Sequence, residues 1–271
     1  MLREITLGQY YQTDSVLHRL DPRVKIVGTL VFIASLFIAN SPLGYGVAAV
    51  FLAVMIKLSH VPFQFIIRGM KAIFMLLIIT MLFNLLLTPG EEVFHLWRLS
   101  VTKEGIRLAL MMGIRLVFLV IGSSLMTLTT TPNNLTDGLE KLMGPLKVLH
   151  VPVHEIAMMM AIALRFIPIL LEETDKIMKA QIARGARFDT GGIIDKARAM
   201  VPLLVPLFIS AFRRAGDLAM AMEARCYHGG EGRTKMHPLA YEKRDALAYL
   251  LLALYLAVMI LSRFVPVGGM L

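Results

Sequence analysis

Residues 105–128 read GIRLALMMGIRLVFLVIGSSLMTL, a run with two arginines and no acidic residue. As a helix rising about 1.5 Å per residue it reaches about 36 Å, enough to cross a hydrocarbon core of about 30 Å. Four more runs share its character, at 24–39, 43–58, 72–88 and 246–261, each close to or slightly short of the ~20 residues a span needs. None of the five contains Asp or Glu. Composition agrees: 57% of the 271 residues are hydrophobic and 17% charged, with mean hydropathy +0.69, whereas soluble chains average roughly 45–50% and 25%. Disorder and an ordinary soluble domain are thereby excluded. The single cysteine, Cys226, excludes an intramolecular disulfide and any multi-cysteine metal framework.

Asn40, Ser41 and Pro42 join the first two runs, a turn composition that predicts a tight antiparallel pair. Loop charge sets the orientation, because Lys and Arg stay on the cytoplasmic side of short loops. Arg19, Arg23 and Lys25 stand before or at the start of the first run, the Asn40 turn is uncharged, and Lys57, Arg68 and Lys71 follow the second. The connection 89–104 mixes Arg98 and Lys103 with Glu91, Glu92 and Glu104, as expected outside. The opening segment 1–23 is polar, so the amino terminus is expected in the cytosol with no cleaved signal peptide. The carboxyl terminus is then outside.

Residues 131–244 differ, holding 16 of the 28 basic and 12 of the 19 acidic residues. Three parts follow: 1–130 with four spans, 131–244 on the cytoplasmic side, and 245–271 with the last span. The middle part still contains apolar blocks at 156–171 and 199–212, each followed by a charged helical stretch. These read as two long helices at the inner membrane surface, apolar toward lipid or protein and polar toward the cytosol. Two further spans are the alternative, against which Arg165, Pro202 and Pro206 weigh.

The two stretches end alike. Pro168 is followed by Glu172, Glu173, Asp175, Lys176 and Lys179 and then Ala183-Arg184-Gly185; Pro206 is followed by Arg213, Arg214, Asp217 and Glu223 and then Ala224-Arg225-Cys226. The arginines lie 225 − 184 = 41 residues apart, and breakers follow at 189–192 and at Gly229 and Gly230. One such ending is an ordinary helix terminus, with a basic last turn and a left-handed cap. Two on matching proline-containing helices suggest equivalent docking ends for a dimeric cytosolic partner, where a planar five-donor guanidinium engages carboxylates and carbonyls.

At these residues the chain resembles the transmembrane T component, EcfT, of energy-coupling factor transporters, ABC-type importers of vitamins and trace nutrients. The resemblance is carried by Tyr11-Gln-Thr-Asp-Ser-Val-Leu-His-Arg-Leu-Asp-Pro-Arg23, Thr129-Thr-Thr-Pro132, Pro152-Val-His-Glu155 and Leu164-Arg-Phe-Ile-Pro168. Ala183-Arg-Gly185, Phe212-Arg-Arg214 and Ala221-Met-Glu-Ala-Arg-Cys-Tyr227 continue it in order. It implies an all-α polytopic membrane protein with about five spans and long cytoplasmic coupling helices, in a bacterial cell membrane. It further implies that Ala183, Arg184, Gly185, Ala224, Arg225 and Cys226 dock on two ABC ATPase subunits, and that the same helices carry a substrate-binding S component. Pro168, Pro202 and Pro206 would kink or swivel those helices, unless they are simply tolerated membrane prolines. Cys226 stands where the family motif has Gly. Cysteine takes positive φ less cheaply, so the second helix is expected to run on to Tyr227 or Gly229.

Other chemistry is weakly represented. No Gly-x-x-x-x-Gly-Lys-Ser/Thr loop occurs, so nucleotide hydrolysis is assigned to a partner and the chain itself is not an enzyme. Pro152 interrupts His150, His154 and Glu155, and no His-Glu-x-x-His pattern exists, so neither metal nor other cofactor is expected and no catalytic residue is assigned. The basic segment lacks the aromatic interleaving that nucleic acid would need. Arg115, inside the fourth run, reads as a snorkelling cation or a functional one. Methionines 158–160, 178, 200, 220 and 222 suit an adaptable surface or plain core filling. An autonomous secondary transporter would ordinarily carry acidic residues or broken segments at the bilayer midplane. A polytopic membrane enzyme would need a convergent His, Asp or Glu set, and none has compelling spacing.

Overall fold

The computed structural model describes residues 10–39, 41–71, 73–96, 99–186, 188, 192–230, 236 and 238–264. Its helices are α1 (Pro22–Ile38), α2 (Pro42–Ser59), α3 (Phe63–Lys71), α4 (Phe74–Leu87), α5 (Lys103–Thr129), α6 (Pro132–Leu142), α7 (Val153–Ala183), α8 (Ile193–Glu223) and α9 (Lys243–Phe264). An antiparallel hairpin, β1 (Glu92–Leu96) and β2 (Leu99–Thr102), links α4 to α5, and a 3₁₀ turn at Gly144–Leu149 precedes α7. The protein is an all-α polytopic membrane protein with this small hairpin added where the sequence suggested a plain connection. Two compact units form, Gly8–Leu139 with Leu239–Leu271, and Glu140–Pro238.

In the first unit α1, α2, α5 and α9 make the core. Phe51 stacks on Tyr255 at 4.1 Å between ring centroids, Phe32 lies 5.8 Å from Phe51, and Gly122 of α5 lets the Phe32 ring approach where a Cβ would overlap it. Ser35 and Tyr255 hydroxyls meet at 2.7 Å inside that cluster, so the buried polar groups satisfy each other. α1 and α2 are joined by the Ser41–Pro42 turn but pack chiefly on α5 and α9 instead of on each other. The expected tight pair is therefore opened, because the aromatic rings fill the space between them.

The helix ends are tied by side chains. Pro22 and Pro42 occupy first-turn positions, where a missing N–H costs nothing, behind Asp21 and Ser41 as N-caps. The Asp245 carboxylate accepts the Asp21 N–H at 2.9 Å and the Glu242 N–H at 2.8 Å, joining the start of α1 to the start of α9. Arg23 donates to both Asp21 oxygens, at 3.0 and 2.7 Å, and its guanidinium lies 3.6 Å over the Tyr241 ring. At the opposite kind of terminus, the Leu128 carbonyl of α5 accepts the Tyr11 N–H and the Thr129 carbonyl accepts Lys25 Nζ, both at 2.9 Å. His18 fixes the preceding loop: its Nε2 donates to the Tyr11 carbonyl and its Nδ1 accepts from Ser15 Oγ, while burial pushes its pKa below the ordinary histidine value. Arg115 reaches toward the turn between α1 and α2. Its guanidinium donates to Tyr45 Oη at 3.0 Å and to the Ala39 carbonyl at 3.4 Å, closing the end of α1.

The run 72–88 forms a single short helix, α4. α4 has 14 residues, about 21 Å, and α3 precedes it at a bend of 63°. By length and hydropathy α2, α5 and α9 can cross a membrane, and so can α7 and α8, whereas α1 has 17 residues. Length alone therefore does not separate the two long helices of the second unit from the spans.

Burial alone would raise the Asp21 carboxyl, but the Arg23 donors outweigh it and hold it below the ordinary carboxylate value. A carboxyl lowered in the folded state adds stability above its unfolded value, about pH 4, and loses it as pH falls through the lowered value. Thermal unfolding in detergent is expected to show a midpoint that drops below about pH 4, with a smaller drop in Asp21→Asn. Asp245→Ala strands two backbone donors and is expected to cost about 3 kcal/mol at neutral pH.

Candidate functional site

The second unit is dominated by α7 and α8, each of 31 residues. Pro168 lies inside α7, and Pro202 and Pro206 inside α8. At the base of α7, His154 Nδ1 pairs with Glu140 Oε1 at 3.0 Å, and Gly230 packs so closely on the His154 ring that a Cβ there would overlap it. His154 is thus held through Nδ1, while its Nε2 is buried without a hydrogen-bond partner among the described residues. The breaker at 189–191 lies outside the described residues, and Gly192 caps α8.

The two helix ends are built alike at the level of individual hydrogen bonds. At the end of α7, Gly185 N–H donates to the Ile182 carbonyl and Ala186 N–H to the Gln181 carbonyl, both at 2.9 Å, with Gly185 at φ +88°. At the end of α8, Cys226 N–H donates to the Glu223 carbonyl at 2.8 Å and Tyr227 N–H to the Met222 carbonyl at 3.1 Å, with Cys226 at φ +57°. Both are Schellman caps, in which a left-handed residue folds the chain back onto the last carbonyls. The expectation that cysteine would prolong the second helix is corrected. Two recovered hydrogen bonds offset the left-handed cost of about 1–2 kcal/mol, and His228 Nδ1 adds a third contact, donating to the Cys226 carbonyl at 2.8 Å. Each cap places its arginine immediately before the left-handed residue. Arg184 and Arg225 are exposed, and among the described residues neither guanidinium has an ion-pair or hydrogen-bond partner. Ala183 and Ala224 are exposed beside them.

Between the ends the helices touch through polar contacts that run in opposite senses along the chain. Arg214 Nη2 meets Glu173 Oε2 at 3.3 Å, and Gln181 Nε2 donates to the Pro202 carbonyl at 3.2 Å. The ion pair repeats the spacing of the motif, since 214 − 173 = 41. Each arginine therefore lies 11 residues beyond a shared crossing point, about 16 Å along its own helix and in opposite directions, which separates the two caps by about 30 Å. In the sequence Glu173 read as a charge in a helical stretch and Arg214 as part of the Phe212-Arg-Arg214 motif, and nothing there paired them. Gln181 carried no signal.

A family model described as a cobalt transport protein, CbiQ, matches residues 13–236. The chain belongs to that family. Its curated relatives include proteins named energy-coupling factor transporter transmembrane protein EcfT. The one from Acidaminococcus fermentans is 52% identical over 267 residues, covering 98% of this chain and 100% of the relative. The one from Clostridium kluyveri is 54% identical, covering 97% and 98%, and the one from Bacillus subtilis 46%, covering 90% and 93%. The chain is thus a transmembrane component of a transporter, and the match spans both capped helices.

The caps differ in strain. Gly185→Ala forces a side chain into a φ that L residues rarely adopt, whereas Cys226→Gly relieves one. Hydrogen exchange at the Ala186 amide is expected to speed up about tenfold in the first variant, and exchange at the Tyr227 amide to slow by a similar factor in the second.

Proposed function

We propose that this chain is the membrane scaffold of an energy-coupling factor importer, with Arg184 and Arg225 docking into one groove on each of two ABC ATPase subunits. The observation that carries the reading is the pair of matching caps, each presenting an unpartnered arginine at an equal distance from the Glu173–Arg214 crossing. A partner with two equivalent sites about 30 Å apart is what such a pair fits. ATP binding and hydrolysis would move the ATPase subunits, and α7 and α8 would pass that motion to a separate S component that binds the vitamin or other micronutrient. The apolar stripe Val201, Leu204, Val205, Phe208, Ile209 and Phe212 leaves α8 a lipid- or protein-facing side. The chain sits in a bacterial cell membrane with its amino terminus in the cytoplasm, a placement that rests on Arg19, Arg23, Lys57 and Lys71. Residues 1–130 then hold four spans, 131–244 the coupling region and 245–271 the last span.

Reversing charge at both caps tests this. Arg184→Glu with Arg225→Glu is expected to strip the ATPase subunits from the purified complex, while the variant keeps the thermal midpoint of the parent chain. Stoichiometric retention of both ATPases by the double variant would sink the docking assignment.

A further inference from the structure

Pro206 has no N–H, so the carbonyl four residues earlier in α8, that of Pro202, loses its helical donor. Gln181 of α7 replaces it, Nε2 donating at 3.2 Å. Val201, Leu204, Val205 and Phe208 around that carbonyl expose apolar surface, and the Gln181 bond lies at that exposed face. Pro168 and Pro202 free the carbonyls of Leu164 and Arg198 in the same way, yet among the described residues neither receives a side-chain donor from the other helix. Among the described residues, only the break at Pro206 is bridged.

Gln181 has a second task. Its own carbonyl accepts the Ala186 N–H that closes the first Schellman cap, three residues from Arg184. One residue thus holds the first docking end through its main chain and the break in α8 through its side chain. The matching position at the second end is Met222, which has no amide to offer. We infer that Gln181 is a positioning residue that fastens the first docking end to the proline break of α8, fixing the register of the two helices beside the Glu173–Arg214 crossing. Sliding of one helix along the other when the caps are displaced is thereby blocked. The inference rests on the docking reading above.

Spin labels near the crossing read it directly. Lys176→Cys and Asp217→Cys, exposed and 41 residues apart, are introduced with Cys226→Gly, and distances are measured by pulsed electron resonance in the ATPase-bound complex with and without Mg-ATP. The parent is expected to give one narrow distribution in both conditions. Gln181→Met is expected to widen it at least about twofold, and Gln181→Lys, which keeps a donor of similar reach, to leave it narrow. Pro206→Ala returns an N–H to the Pro202 carbonyl. If Gln181 only satisfied that carbonyl, the double variant Gln181→Met with Pro206→Ala would regain the narrow distribution, whereas a positioning role leaves it wide. A narrow distribution in Gln181→Met, a wide one in Gln181→Lys, or full rescue by Pro206→Ala overturns the inference. Failure of the docking reading shows separately, as absence of the ATPase subunits from the parent complex.

Discussion

The carbonyls of Leu128 and Thr129 end the longest helix of the first unit, and both residues are buried, where an unpaired carbonyl is costly. Tyr11 N–H and Lys25 Nζ supply the missing hydrogens, while Asp245 takes the Asp21 N–H at the paired starts of α1 and α9. These bonds connect residues more than a hundred positions apart, so they hold together elements that hydrophobic contact alone would leave free to slide. Lipid tails are as apolar as the helix surfaces, and packing therefore depends on shape and polar ties more than it does in water. The stacked Phe51 and Tyr255 rings supply the shape, and the terminal bonds supply the register.

The same demand for paired backbone groups explains the second unit. Two helix ends close with Schellman caps, and a proline-freed carbonyl is met by a glutamine from the neighbouring helix. What is left without a partner is informative by contrast. Arg184 and Arg225 stand exposed on otherwise satisfied ends, so their donors are available to another protein. Matching backbone geometry beneath them means that both arginines are presented in the same way, which a dimeric partner with two like grooves requires.

Much of this was legible in the sequence. The apolar runs located α1, α2, α5 and α9, because hydropathy needs only local composition. Ala-Arg-Gly and Ala-Arg-Cys located both capped helix ends, because a left-handed cap closes a helix wherever the chain turns. The run 72–88 likewise located α4, whereas the short α3 before it was not singled out, since hydropathy carries no information on the break that separates the two. Cys226 misled. The left-handed conformation costs an L residue about 1–2 kcal/mol, small enough for two closing hydrogen bonds to offset.

The sequence by itself determined the membrane class, the position of the helices and the doubled motif, all of them set by propensities within a few residues. Only the tertiary structure decided that α7 and α8 cross in opposite senses through Glu173 and Arg214, that Gln181 finds the Pro202 carbonyl, and that Asp21 meets Asp245 across 224 positions. The reason is physical. A proline shows which carbonyl will lack a donor, but the donor comes from whichever chain segment packs against it, and that is fixed by the whole fold.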